Sequence, residues 1–536
     1  MVVVRYIPVK NKYIQFSTNC LAGRIRCGRV LFLNSDEDYQ TAVSSTASCG
    51  KFRRTPESHS PAAIVQFKKH HVENIKECML YAHSTAKPIS VCGGGHTENS
   101  AGSGSVMIDL RYGGCRGVDF VQDEEFGAVV VAQGGANLSD ISRVAAEHGY
   151  IVPLGTAPTV GAGALLYGGV GHLTRNFGLS VNSILRMSII TPTNGDQKSN
   201  CSPTPTLHQL SLSTAKEQQQ KLFFAACGSG PSLGVVVELT LRAFKDVGLW
   251  SVYHDYFQSS STSQTEMILE AYVATTNTKQ MEDNLLMSSD LYIERIPGMG
   301  IGIVGIDKQK VIASISHFGP TKTSTFNRVA LNTCAALSTT SKHTVSVPWQ
   351  DLFEHEAYLS SNMVTHVHQQ EKKNWSVHVR SIFVRYLTQD HLSYLSERLM
   401  HSTDAPTSFS TLHVQHGGSS VHDVNADAND EQEVKCAGDV KKWKYSVVVS
   451  CWYNEDHNTD RVKNWVNETI EHLLQDQEQS VCVYPTDMGP EDCGNNLIQD
   501  AFVNDNVRKR LHTEKMQYDP NNMMFYSFPV GSLVLL

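Results

Sequence analysis

Three glycines followed directly by a histidine, Gly93-Gly94-Gly95-His96, stand at the end of a short apolar run, Pro88 to Val91, that reads as a buried strand. Glycines at such a turn let the backbone take positive φ and bring bare amides within hydrogen-bond distance of a ligand, which is the chemistry that binds phosphates and other anions. His96 is thereby carried on a loop and not on a helix face, with Thr97, Gly102 and Gly104 after it. Val106 to Leu110, bearing Asp109, forms the next strand. A second stretch, Val152 to Leu179, repeats the idea at greater length with Gly155, Gly161, Gly163, Gly168, Gly169 and Gly171. Neither stretch is a phosphate motif by itself. Gly161-Ala162-Gly163 lacks the third glycine of the dinucleotide fold, and no Gly-Lys-Ser/Thr follows any glycine run. On these residues alone, surface loops and a nucleotide site are both open readings.

Other side chains have the right types for chemistry. Tyr484 lies in Val483-Tyr484-Pro485, where a short turn holds the phenol, but a tyrosine works as a base near neutrality only if neighbours pull its pKa well below ~10. His413, Gln415 and His416 precede Gly417-Gly418 and are candidates for a second proton acceptor. Glu354, His355, Glu356, His366 and His368 show no ligand spacing of a zinc or iron motif, so no metal is expected.

The elements that must position these groups are of α/β texture up to about residue 250. A short helix capped at Asp36, a strand Ala62 to Phe67 and a helix His71 to His83 come first. Ala128 to Ala132 is a strand, Asn137 opens a helix through Glu147 that Gly149 closes, and Asn182 to Thr191 and Val235 to Phe244 complete two small mixed sheets. From Ser251 onward strands dominate: Ser251 to Phe257, Ile301 to Ile306, Lys310 to His317, Ser408 to His413 and Tyr445 to Trp452. Two amphipathic helices, Ser324 to Leu337 and Asp460 to Leu474, accompany them, so an antiparallel sheet backed by helices is expected. The polar stretch Val421 to Asp439 reads as a loop.

At 536 residues the chain is too long for one ordinary core. A hydrophobic share of 41% with 18% charged residues is that of a globular protein, and a formal net charge of -8 argues against a nucleic-acid partner. No apolar run approaches the ~20 residues of a membrane span. The apolar start is broken by Arg5 and Lys10, so no signal peptide is expected. Thirteen cysteines without a Cys-x-x-Cys pair point to reduced thiols and a cytoplasmic location.

Taken together, Val91-Cys92-Gly93-Gly94-Gly95-His96 with Gly102, and Pro158-Thr159-Val160-Gly161-Ala162-Gly163 with Gly168, Gly169, Gly171, His172, Leu173 and Arg175, resemble the two FAD loops of the FAD-linked oxidases of the para-cresol methylhydroxylase type, in the berberine-bridge-enzyme-like branch. Leu222-Phe223-Phe224 with Gly228, Gly230, Gly234 and Val235 is similar to that family's third FAD-contacting segment, and Tyr518-Asp519-Pro520-Asn521-Asn522 to its C-terminal signature. The resemblance implies an α+β fold: a two-part FAD-binding domain in residues 1–250, a substrate domain in 251–479 whose antiparallel sheet roofs the flavin, and a return to the FAD domain in 480–536.

It implies covalent FAD through His96, and only through His96, because Ala157 stands where doubly linked relatives have a cysteine. Cys92 replaces a common arginine, Val483 replaces an asparagine, and Phe528 stands where a polar amide is usual. Tyr484, with His416 beside it as a further candidate, would act as the catalytic base. The function implied is an oxidase that takes a hydride from a small alcohol, amine or phenolic substrate and reduces O2 to H2O2. A dehydrogenase with another acceptor, or a flavin-binding protein with lost activity, are the alternatives.

Overall fold

The computed structural model describes residues 21–25, 28–32, 38–39, 41–42, 60–67, 72–112, 114–196, 203–214, 216–278, 281, 287–296, 310–321, 338–354, 376–400, 410–417, 443–453, 458–488 and 505–526. The expected strand at Ile301, the helix at Ser324, the loop at Val421, the Asp36 cap, Phe528 and most of the Glu354 to His368 histidine cluster lie outside these residues.

Strands β1 (Gly28–Phe32), β2 (Ala63–Phe67), β3 (Ile89–Cys92) and β4 (Val106–Asp109) form a sheet in the order β1-β2-β4-β3. β2, β3 and β4 are parallel and β1 is antiparallel. Parallel neighbours need a long crossover. Helix α1 (Val72–Ser84), with Ile75, Cys78, Met79 and Ala82 on its buried face, makes the first one. The glycine loop from Gly93 to Ser105 makes the second, which places that loop at the carboxyl end of β3.

The second sheet takes β5 (Val118–Asp123), β6 (Gly127–Gln133), β8 (Ile184–Thr191), β9 (Thr206–Ser211) and β10 (Val235–Arg242) in the order β5-β6-β10-β8-β9. A two-stranded ribbon, β7 (Tyr150–Ile151) with β11 (Phe244–Lys245), flanks it. Every pairing in the five-stranded sheet is antiparallel, where a mixed sheet was expected. Hairpins join β5 to β6 and β8 to β9, and β10 enters antiparallel between β6 and β8 with a register shift against β8 at Val236/Glu238. Helix α2 (Leu138–Glu147) starts in a reciprocal capping box between Asn137 and Asp140 and ends before Gly149, whose φ of 74° only glycine adopts cheaply.

The third sheet has eight strands: β12 (Trp250–Ser259), β13 (Ser288–Ile296), β14 (Lys310–Pro320), β15 (Ser338–Val347), β16 (Ser376–Val384), β17 (Ser410–His416), β18 (Tyr445–Tyr453) and β19 (Ser480–Val483). Their order is β15-β12-β14-β13-β17-β18-β16-β19, all antiparallel. Helices α3 (Thr262–Thr276), α4 (Gln389–Met400) and α5 (Thr459–Gln475) back it; the last was expected from its periodicity, and the first two were not. α5 buries Val462, Trp465, Val466, Ile470 and Leu473 toward β16 and β18. β16 went unforeseen because seven of its nine residues are buried, which erases the period-two alternation that marks a half-buried strand. One continuous core joins the second and third sheets through Phe223, Leu239, Trp250, Phe383 and Tyr445. The architecture is the α+β one expected.

Candidate active site

The two glycine loops meet. A Cβ built on Gly94 would fall on the amide nitrogen of Gly161, and one built on Gly161 would fall on that of Gly94, so only residues without a Cβ fit there. A Cβ on Gly93 would lie 3.0 Å from Gly134 O, and one on Gly134 would fall on Val236 O. The second loop is fixed from behind by α2: Leu138 N donates to Val160 O at 2.9 Å and Ser139 N to Pro158 O at 2.9 Å. Its Gly163 meets nothing within 4 Å where a side chain would stand.

A cavity of about 330 Å³ opens beside this junction. Gly93, Gly94, Gly95, His96, Thr97, Val160, Gly161 and Gly163 all line it. Tyr526 closes one end; its ring packs on Gly102 and its hydroxyl donates to Ser103 O at 2.7 Å. Asn99 ties the first loop to the C-terminal segment through Met488 O at 3.0 Å.

The opposite wall comes from residues that the sequence reading did not single out: Val377, His378, Val379 and Arg380 on β16, Tyr453 on β18 and Lys463 on α5. Arg380 is 2% exposed, with Nη1 donating to Val379 O at 2.7 Å. His378 contacts Asn467 at 3.1 Å, and burial, with Arg380 beside it, pushes its pKa down to about 3, so the ring is neutral. A histidine, an arginine and a serine inside the mostly apolar run Val377 to Val384 were the signal available.

Tyr484 follows β19 and is fixed by pairing: its backbone N donates to Ser381 O at 2.8 Å. Its phenol oxygen accepts from Gly169 N at 2.7 Å, and its ring sits against Gly168. Tyr484 borders the cavity and does not line it; Tyr167 and Thr486 on either side of it do. Burial first, and Tyr484 second, raise the pKa of the Tyr167 phenol.

His416 is placed elsewhere. It is 3% exposed, lies 5.7 Å from the Tyr445 ring and, like Tyr484, is not among the residues that line this cavity. Burial, then Arg175, hold it well below the ordinary histidine pKa. His413 faces Asp290 at 3.5 Å, and Gly417 packs on Trp443.

The remaining residues expected to touch cofactor lie off the lining of this cavity. Pro158 and Thr159 lie in the turn closed by Val160 N donating to Ala157 O at 3.1 Å. Gly169 and Gly171 pack against Ser180 and Leu154, and Leu173 is buried in the core. Gly234 lies on the backbone of Ile190, and Val235 begins β10 inside the core. Tyr518 ends helix α6 (Asp505–Tyr518), edge-on to His208. Beside Asn521, Asp519 clasps the turn, accepting from Lys515 Nζ at 2.7 Å and from the amides of Met523 and Met524 at 2.8 Å. Ala157 sits in the half-buried turn that precedes Val160. Among the described residues no cluster could hold a metal, and Glu354 accepts instead from Ser139 at 2.9 Å. No described helix is long and apolar enough to cross a membrane.

Two glycine loops and a histidine line one cavity together with residues of the antiparallel sheet, which makes it a candidate ligand site. Residues 61–199 match the family described as FAD binding domain. The chain is 31% identical over 230 residues to the FAD-linked oxidoreductase hasG of Aspergillus fumigatus, covering 42% of each chain. It is 29% identical over 175 residues to (R)-6-hydroxynicotine oxidase of Paenarthrobacter nicotinovorans, covering 32% of this chain and 34% of that one. It thus spans less than half the length of either relative. Among solved structures, Physcomitrella patens BBE-like 1 shares the fold with a TM-score of 0.68 and 18% identity, over 94% of this chain and 97% of that one. Residues 61–199 are therefore an FAD binding domain, carried on a chain that shares the fold of that berberine-bridge-enzyme-like structure.

Proposed function

We propose that this protein is a flavin-dependent oxidase that takes a hydride from a small organic substrate, an alcohol, amine or phenol, and reduces O2 to H2O2, with FAD held covalently through His96 alone. The observation that carries this reading is the contact of Gly94 with Gly161 beside a cavity that has His96 on its wall. The absence of side chains at Gly93 to Gly95, Gly161 and Gly163 leaves space and amide donors for a phosphate-bearing cofactor. When bound, FAD supplies the two-electron chemistry between substrate and acceptor. The relatives named oxidase and oxidoreductase support the reaction class.

The chain's own residues have three tasks. The loops hold the cofactor, and residues 1–250 with 480–536 carry them. The eight-stranded sheet, β12 to β19, covers the cavity and shapes the substrate space. Tyr484 takes the O–H or N–H proton as the hydride leaves carbon; the Gly169 amide aimed at its oxygen favours negative charge there.

The test is to purify the protein, record its visible spectrum, and follow H2O2 release over a panel of alcohols, amines and phenols. Flavin reduction by a substrate with peroxide formed mole for mole is expected. Reduction by substrate without reoxidation by O2 would replace oxidase with dehydrogenase, and a colourless protein would refute the reading.

A further inference from the structure

The two walls of the cavity differ in charge. The glycine-loop wall offers amides and small side chains. The sheet wall offers Arg380 and Lys463, and no described lining residue is an aspartate or glutamate. This is unexpected in a chain with 53 acidic against 45 basic residues. A guanidinium stays charged at any accessible pH. Arg380 is held nearly fully inside, and a cationic concavity with low-dielectric walls concentrates the field on whatever enters. His378, between the two cations in its electrostatic surroundings, is neutral and adds no third charge.

We propose that Arg380, with Lys463 as a second cation, is an anion-recognition point of this cavity and takes a carboxylate or phosphate group of its ligand. The proposal rests on the reading of the cavity as the cofactor and substrate site. A substrate carboxylate and a cofactor phosphate share this chemistry, and an Arg fork binds either with two parallel hydrogen bonds.

The experiment uses the purified full chain as wild type, Arg380→Gln, Arg380→Lys and Lys463→Gln. Flavin-to-protein ratio is measured for each, and benzoate and its uncharged analogue benzamide are titrated while the flavin spectrum and the heat of binding are followed. If the anion belongs to the substrate, benzoate binds wild type at least about tenfold more tightly than benzamide, Arg380→Gln loses at least about tenfold in benzoate affinity at unchanged flavin ratio, and Arg380→Lys recovers part of it. If the anion is a cofactor phosphate, the flavin ratio falls in Arg380→Gln and returns in Arg380→Lys.

Wild-type values within twofold for both readouts in Arg380→Gln overturn the proposal. Lys463 is half-buried on a helix, so Lys463→Gln should fold even if Arg380→Gln does not, and its failure to change either readout then counts against the proposal in the same way. A wild-type protein without flavin would defeat the reading beneath the proposal, while calorimetry with benzoate and inorganic pyrophosphate would still decide anion recognition itself.

Discussion

Gly94 lies against Gly161, backbone to backbone, so that neither position has room for even one methyl carbon. The contact joins two loops far apart in sequence, one leaving β3 and the other braced by α2. One wall of the cavity is formed beside this contact.

Replacing Gly94 with alanine should therefore drive the loops apart. We expect a loss of about 1–3 kcal/mol in stability and a lowered flavin ratio, read by thermal melting and visible absorbance. Gly163→Ala is the control, since nothing lies within 4 Å of its would-be Cβ. It should melt with the wild type. Equal flavin loading and melting in Gly94→Ala would contradict the packing argument.

His96→Ala should fold and still bind flavin through the loop amides, but release it. After acid precipitation, flavin fluorescence is expected with the washed wild-type pellet and in the supernatant of the variant. Flavin in the wild-type supernatant would end the covalent assignment, and a doubly linked spectrum would end the single-link one.

Tyr484→Phe keeps the ring against Gly168 and removes the oxygen that accepts from Gly169. Anaerobic stopped-flow reduction by substrate should slow by at least ~10²-fold, within the range a positioned base supplies, while reoxidation by O2 stays as it was. Unchanged reduction would move the base to another residue.

Glu514, buried on helix α6, has its pKa raised from 4.5 to about 7 by burial. Between those two pH values the folded state holds a proton that the unfolded state has lost. Stability should therefore be highest below the lower value and decline as pH rises through about 7, by up to about 3 kcal/mol for this group. Melting curves from pH 5 to pH 8 should show a shallower decline in Glu514→Gln than in wild type. Parallel curves would rule out Glu514 as the source.

The glycine runs and His96 were legible in the sequence because what they encode is local: a backbone that must come close and turn sharply leaves its mark as missing side chains at neighbouring positions. The strand into Gly93, the capped helix at Asn137 and the amphipathic helix at Asp460 were legible for the same reason, since caps and periodicity act within a few residues. The cationic wall was not. Val377 to Arg380 form a strand buried on both faces, so no alternation marked them, and they reach the cavity only because β16 lies between β18 and β19. The same pairing to β19 sets Tyr484 beside Ser381, while the register of β17 against β18 takes His416 into the interior beside Tyr445. Sequence determined where the chain can approach a cofactor; long-range strand pairing, with no local residue pattern to announce it, decided which side chains stand across the cavity.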